Sequence, residues 1–272
     1  MTDSSPVNFA NQDLRNRSFY GQNLKGANFI SCDLRGCDFS YAQLQGANFE
    51  RVRIGQTKLK LVTAVAVAVG ITLLDAHAIS LMIFGILGVT PQESTLAYAI
   101  ALYIILALAG VSAGVRGLMK TQSMLGRMVT AVSAAASGAL LGFFYGGSTT
   151  NNNPQVATTA AIIAAVVGIL ASEKARGRFV VVAIAVAGAI AAYGFTFLAV
   201  GTSSAFLSVH KVSWGVLWSI VALSQIILTL RAFTVSFKEI RAACRTSFRG
   251  ANLSNAKFEE VRLGNTDFSE TL

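Results

Sequence analysis

The sequence predicts a polytopic α-helical membrane bundle of about six transmembrane helices, with a repeat solenoid contributed by both termini. Residues 61–237 contain six apolar segments, each long enough to cross a bilayer. Residues 7–61 and 246–270 carry an aromatic or aliphatic residue at every fifth position. The composition agrees with a membrane protein, because only 13% of the residues are charged, against about 25% in soluble domains.

The first block repeats with a period that fits neither an α-helix, at about 3.6 residues, nor a strand, at about two. Small residues precede many of its apolar positions by two places, as in Ala27-Asn28-Phe29 and Ala47-Asn48-Phe49. A fixed period held this long predicts a solenoid, in which each unit buries its apolar face against its neighbours. The apolar positions are Phe9, Leu14, Phe19, Leu24, Phe29, Leu34, Phe39, Leu44, Phe49, Ile54 and Leu59.

These units resemble the pentapeptide-repeat family, whose consensus is roughly Ala-(Asp/Asn)-Leu-x-x. The resemblance implies a right-handed quadrilateral β-helix with four pentapeptides per coil, in which the central Leu or Phe and the preceding small residue point inward. Gln12, Arg17 and Gln22 depart from this pattern, and we predict that the first coil is distorted and acts as a cap. Cys32 and Cys37 fit the small inward position better than a zinc site, since no histidine lies nearby in the sequence.

The second block is too short to be stable alone. Its central residues are Phe248, Leu253, Phe258, Leu263 and Phe268. Eleven units in the first block and five in the second would complete four coils. We therefore hypothesise a single solenoid interrupted by the bundle, with residues 251–268 stacked on the coil that contains residues 49–59. The alternative is pairing between the chains of a homo-oligomer. The predicted domains are 1–61, 62–237 and 238–272.

The predicted transmembrane segments are residues 61–84, 95–116, 124–146, 156–173, 179–201 and 212–232. Turn residues connect them, as in Thr90-Pro91-Gln92-Glu93-Ser94. One set of flanks carries most basic residues of the chain, whereas the other carries only Lys211. By the positive-inside rule, both termini, and so both repeat blocks, are predicted to be cytoplasmic. The basic flanks contain Arg51, Arg53, Lys58, Lys60, Arg116, Lys120, Arg127, Lys174, Arg176, Arg178, Arg231, Lys238, Arg241, Arg245 and Arg249.

Two ionisable residues inside the first segment, Asp75 and His77, are candidate functional residues, because charged groups in a membrane are costly to retain. Their spacing places them on different faces of a helix. One interpretation is that the helix ends or tilts there, so that both residues reach the outer interface. The others are an ion pair between Asp75 and Lys211, and an ion or proton path.

The polar residues on the walls of the first block are mixed in sign and fit either a solvated surface or a surface for a protein partner, with Arg15, Lys25 and Arg35 as candidate contacts. The leading hypothesis is an integral membrane protein with a cytoplasmic platform for protein–protein interaction. The alternative is a small transporter or channel regulated by the solenoid. The family resemblance implies a cyanobacterial thylakoid or plasma membrane. We expect no enzymatic activity, cofactor, metal or nucleic acid, since we find no catalytic constellation and the net charge of +9 lies mostly beside apolar segments.

Overall fold

The structure is a computed structural model that describes residues 6–86, 96–119, 123–174 and 178–272. The predicted turn at residues 90–94 lies outside the described residues. The chain forms two compact units. The first unit, here called the repeat domain, combines Met1–Val65 with Ile240–Leu272, and the second, the helical bundle, is Ala66–Glu239. The repeat domain is therefore built from both ends of the chain.

Six long helices and four two-residue strands are found in the described residues. The strands are β1 (Arg53–Ile54), β2 (Thr246–Ser247), β3 (Arg262–Leu263) and β4 (Thr266–Asp267). The helices are α1 (Lys58–Ile86), α2 (Leu96–Arg116), α3 (Met124–Ser148), α4 (Pro154–Lys174), α5 (Arg178–Ser208) and α6 (Val212–Cys244). All six are long and apolar enough to span a membrane.

In the repeat domain, parallel bridges join residues twenty positions apart, as between Asn8 and Asn28 or Asp13 and Asp33. The chain thus returns to the same column of bridges after each coil. Coil 1 comprises residues 7–26, coil 2 residues 27–46, coil 3 residues 47–55 and 246–255, and coil 4 residues 256–272. Strand pairing continues the ladder between the last two coils, where β1 pairs with β3 in parallel.

The backbone turns from one column to the next at a left-handed residue, which explains the Gly and Asn residues at these places. Asn16 has a φ of 64° and Gly36 a φ of 72°, a region that other residues enter at a cost. At Gly36 space is limiting as well, since a Cβ atom would lie 2.5 Å from Oδ1 of Asn16.

The core of the repeat domain contains two columns of stacked phenylalanine rings. Phe9, Phe29, Phe49 and Phe258 form one column, with neighbouring ring centroids 4.8 to 5.0 Å apart. Phe19, Phe39, Phe248 and Phe268 form the other, at 4.9 to 5.1 Å. Such pairs contribute about 0.5–1.5 kcal/mol beyond their area burial. The alternation of Phe and Leu in the sequence therefore places phenylalanines in every second column.

Residues 56–245, which include the helical bundle, are inserted within coil 3 in place of a single residue of the repeat. The backbone N–H of Thr246 donates to the carbonyl oxygen of Gly55 at 3.0 Å. The Thr246 hydroxyl is buried and accepts from the backbone N–H groups of Gly36 and Gly55, at 3.1 and 3.0 Å. It lies within 2.9 Å of the carbonyl oxygen of Leu34, to which it can donate. This residue thus joins the two halves of coil 3 to coil 2.

Two details of the predicted solenoid are wrong. Leu59 is not a repeat residue, because it lies in α1 and is 68% exposed. Coil 1 is not distorted, since it keeps the same bridges as the other coils. Its exceptional residues Gln12, Arg17 and Gln22 are exposed, so these side chains do not have to fit into the core of the repeat domain.

Within the helical bundle, small residues allow helix backbones to approach closely. A Cβ atom on Gly142 of α3 would lie 2.4 Å from the carbonyl oxygen of Ala160 in α4. In α2, a Cβ atom on Gly110 would lie 2.8 Å from Cα of Ala192 in α5. Helix α5 is the most buried of the six candidate spans of the described chain.

Candidate interaction surface and buried acidic site

The three predicted contact residues do not lie on one surface. Arg15 follows Asp13 and Arg35 follows Asp33, and these two aspartates are bridge partners in one column. Lys25 follows Asn23, which belongs to the column that contains Gln43. The two columns are two pentapeptides apart in a coil of four, so Lys25 lies on the opposite side of the coil from Arg15 and Arg35.

In coils 1 and 2, ion pairs neutralise the two arginines that share a surface. Arg15 and Arg35 each contact the preceding aspartate, Asp13 or Asp33, at 2.6 Å. The side-chain hydrogen bond from Arg15 lowers the pKa of Asp13 to about 2. Burial of Asp33 acts to raise its pKa, but the hydrogen bonds from Arg35 outweigh it and the pKa is lowered. All four side chains therefore remain charged at neutral pH.

The column that contains Asp13 and Asp33 continues with two arginines, and the sequence alone did not reveal that these two are neighbours. Bridges and strand pairing connect Asp13, Asp33, Arg53 and Arg262 in this order, and we call this series the charged column. The ion pairs of the described repeat domain include neither Arg53 nor Arg262. Their adjacency becomes visible only once the register across the inserted helices is known. A cavity of about 670 Å³ borders the column.

Two further ion pairs lie along the column that contains Ser247 and Asp267. Arg245 contacts Asp267 at 2.6 Å, and Arg249 contacts Glu270 at 3.3 Å. Burial of Asp267 acts to raise its pKa, but hydrogen bonds from Ser269 and the charge of Arg245 lower it overall. The ring of Tyr41, which is 42% exposed, lies against Gly250, the residue after Arg249.

Asp75 is buried inside the helical bundle, and the interpretation that α1 ends there is wrong. Helix α1 continues to Ile86, and Asp75 is only 2% exposed. Its Oδ2 atom has no hydrogen-bond partner among the described residues. Nor do the ion pairs of the described chain join it to Lys211, which is exposed. An unpaired buried carboxyl group is costly, which distinguishes this residue from the rest of α1.

His77 lies on a different face of α1. It is exposed, and its ring meets that of Phe144 at 5.6 Å. Four further buried polar atoms lack partners in the part of the bundle that the structure describes: Nε2 of Gln225, Oγ of Ser137, and Nε and Nη1 of Arg116. The described residues contain no group of three or more His, Cys, Asp or Glu side chains that could hold a metal ion.

A family model described as pentapeptide repeats matches eight copies in the chain, over residues 7–40 and 244–271. Both termini consist of pentapeptide repeats. The pattern extends through residues 41–55 as well, where the bridges continue without a break. No curated protein and no solved structure matches the chain.

Proposed function

We propose that this is an integral membrane protein whose pentapeptide-repeat domain is a right-handed quadrilateral β-helix and serves as a cytoplasmic platform for protein–protein interaction. The observation that carries the proposal is that one chain contains both two repeat blocks and six helices that are long and apolar enough to span a membrane. The basic flanks of these helices favour a cytoplasmic location for both blocks. The family resemblance favours a thylakoid or plasma membrane of a cyanobacterium.

The repeat domain suits docking because its exposed side chains are held in fixed columns. Ladder neighbours lie about 4.8 Å apart, so a partner would meet a pre-arranged series of charges such as Asp13, Arg15, Asp33 and Arg35. Pre-organisation reduces the entropy lost on association. No catalytic role, cofactor or nucleic acid is part of the proposal.

Gentle detergent extraction, affinity isolation and mass spectrometry test the platform. We expect a stoichiometric protein partner that is lost in an R15E/R35E variant, because both reversals fall on one surface. The matched control is K25E, on the opposite side of the coil, which should keep the partner. Isolation of the protein alone, or equal loss in both variants, would contradict docking on this surface.

A second candidate function, ion or proton transport, is favoured by the buried and unpartnered carboxyl group of Asp75. A carboxyl group in such a place takes up a proton or a cation more readily than it remains ionised and unpaired. The repeat domain would then be regulatory.

Flux of protons, Na⁺ and K⁺ in liposomes tests this function. D75N keeps the size of the side chain but removes the exchangeable charge, so flux should be abolished while the protein remains in the membrane. The control is H77Q, which changes the exposed neighbour on the same helix. Unchanged flux in D75N would remove Asp75 from the mechanism.

A further inference from the structure

The charged column changes character between coil 2 and coil 3. In coils 1 and 2 each aspartate is followed two places later by its arginine partner, as in Asp33 and Arg35. In coils 3 and 4 the bridge position is itself an arginine, Arg53 or Arg262, and the later position is a glycine, Gly55 or Gly264. The arginines therefore have no partner built into their own pentapeptides.

Arg53 and Arg262 are directly opposite each other in the parallel pairing of β1 with β3. Like charges at directly opposite positions destabilise a ladder. Both side chains are exposed, and neither takes part in the ion pairs of the described repeat domain. The arrangement is consistent with a ligand that brings negative charge to both guanidinium groups.

Two glycines, Gly55 and Gly264, lie beside the two arginines. Gly55 and Gly264 approach so closely that a Cβ atom on Gly55 would lie 3.0 Å from Cα of Gly264. Gly264 is exposed and Gly55 is buried, and neither has a side chain that would lie beside the guanidinium groups. The two arginines also line the cavity of about 670 Å³, whose acidic residues Asp13 and Asp33 are already paired with Arg15 and Arg35. The full lining is Asn11, Gln12, Asp13, Ser31, Cys32, Asp33, Arg51, Arg53, Glu260 and Arg262.

We propose that Arg53 and Arg262 bind the phosphate group of an anionic phospholipid headgroup. Planar guanidinium groups match phosphate oxygens through paired hydrogen bonds. Ser31 and Glu260 lie in the two coils next to that of Arg53, and Glu260 shares its coil with Arg262. Their side chains line the same cavity and can bond hydroxyl groups, which favours a phosphate diester that carries a polyol, such as phosphatidylglycerol.

The position in the chain argues for a lipid as the source of the phosphate. Arg53 lies five residues before the first residue of α1, Lys58, so at most about 18 Å of extended chain separates them. Basic clusters next to transmembrane helices attract anionic headgroups. This step rests on the proposed membrane location, whereas the arginine pair itself does not.

The test measures binding of dihexanoyl phosphatidylglycerol to the full-length protein in neutral detergent by microscale thermophoresis, with dihexanoyl phosphatidylcholine and inorganic phosphate as separate probes. Loss of the hydrogen bonds from one exposed arginine to a phosphate weakens affinity about fivefold. R53Q/R262Q should therefore weaken phosphatidylglycerol binding about thirtyfold, with no change for phosphatidylcholine.

The control R17Q/K257Q removes the same charge from other exposed positions of the repeat domain, and it should change the affinity less than twofold. R53K/R262K keeps the charge but loses the planar fork, so it should bind with intermediate affinity, and it serves if the glutamine variant does not fold. Equal effects of R53Q/R262Q and the control, or binding of inorganic phosphate as tight as that of the lipid, would overturn the assignment. Absence from the membrane fraction would instead contradict the proposed function.

Discussion

The junction at Thr246 offers a sharp test of how the two blocks are joined. The substitution T246V keeps the shape of the side chain but removes the hydroxyl group. Gly36 keeps a second acceptor for its backbone N–H, the carbonyl oxygen of Gly55 at 2.8 Å. The N–H of Gly55 has the Thr246 hydroxyl as its acceptor at 3.0 Å, and Thr246 is fully buried. One buried donor is thus left unpaired, at a cost of about 1–3 kcal/mol.

The assay follows the opening of the repeat domain through its buried thiols. Cys32 and Cys37 are buried, so a thiol reagent labels them only when the domain opens. With Cys244 replaced by serine, T246V should accelerate labelling about thirtyfold, which corresponds to about 2 kcal/mol of opening free energy.

The matched control for T246V is T266V at the next position of the same column. Thr246 and Thr266 are ladder partners in the pairing of β2 with β4. Within the described residues, the Thr266 hydroxyl donates a hydrogen bond only to the carbonyl oxygen of Gly264, at 3.2 Å in an exposed setting, so its loss should change the opening free energy by less than about 0.5 kcal/mol. Equal labelling rates in T246V and T266V would refute the claim that the Thr246 hydroxyl holds coil 3 together.

Two further predictions concern acid stability and helix packing. The pKa values of Asp33 and Asp267 are lowered in the folded state, so their ion pairs stabilise the repeat domain above the unfolded pKa of about 4, and this contribution is lost as the pH falls through the lowered values. The rate of pepsin cleavage should therefore rise between pH 5 and 2, and it should rise less steeply in D267N. A rate that does not change with pH would contradict the role of these pairs. In the bundle, G142A would place a methyl group 2.4 Å from the carbonyl oxygen of Ala160 and should destabilise the bundle by about 1–3 kcal/mol in thermal unfolding. The control G70A, whose added methyl group would have nothing within 4 Å, should be neutral or stabilising. Equal unfolding temperatures for the two variants would contradict the close approach of α3 and α4.

The sequence was most informative where one period persisted over many residues. The five-residue phase predicted the inward residues, and Phe29, Leu34 and Phe39 are fully buried in the structure. It failed at Leu59, because an apolar helix supplies a hydrophobic residue at almost any phase and the periodicity alone does not mark where the solenoid stops. The resemblance also allowed a coil of four units, from which the separation of Lys25 from Arg15 and Arg35 could have been predicted.

The buried and paired residues needed the structure. A polar residue late in an apolar segment usually indicates a helix end, but α1 has 29 residues, more than the roughly 20 that cross a bilayer, and Asp75 remains inside it. The pairing of Arg53 with Arg262 depends on which residue resumes coil 3 after the bundle. That residue is Thr246, and a small residue at one end of a long insertion does not reveal its ladder partner.

The most direct test of the account is the membrane topology of both repeat blocks. Single cysteines at Asn16, Ser254 and Asn152, in a background with alanine for the three native cysteines, can be labelled with a membrane-impermeant thiol reagent in intact cells of a bacterial host without thylakoids, where the protein inserts in the plasma membrane. The proposal predicts that N152C, between α3 and α4, is labelled from outside, whereas N16C and S254C are labelled only after permeabilisation. Labelling of N16C or S254C in intact cells, or protection of N152C, would contradict a membrane protein with a cytoplasmic repeat domain.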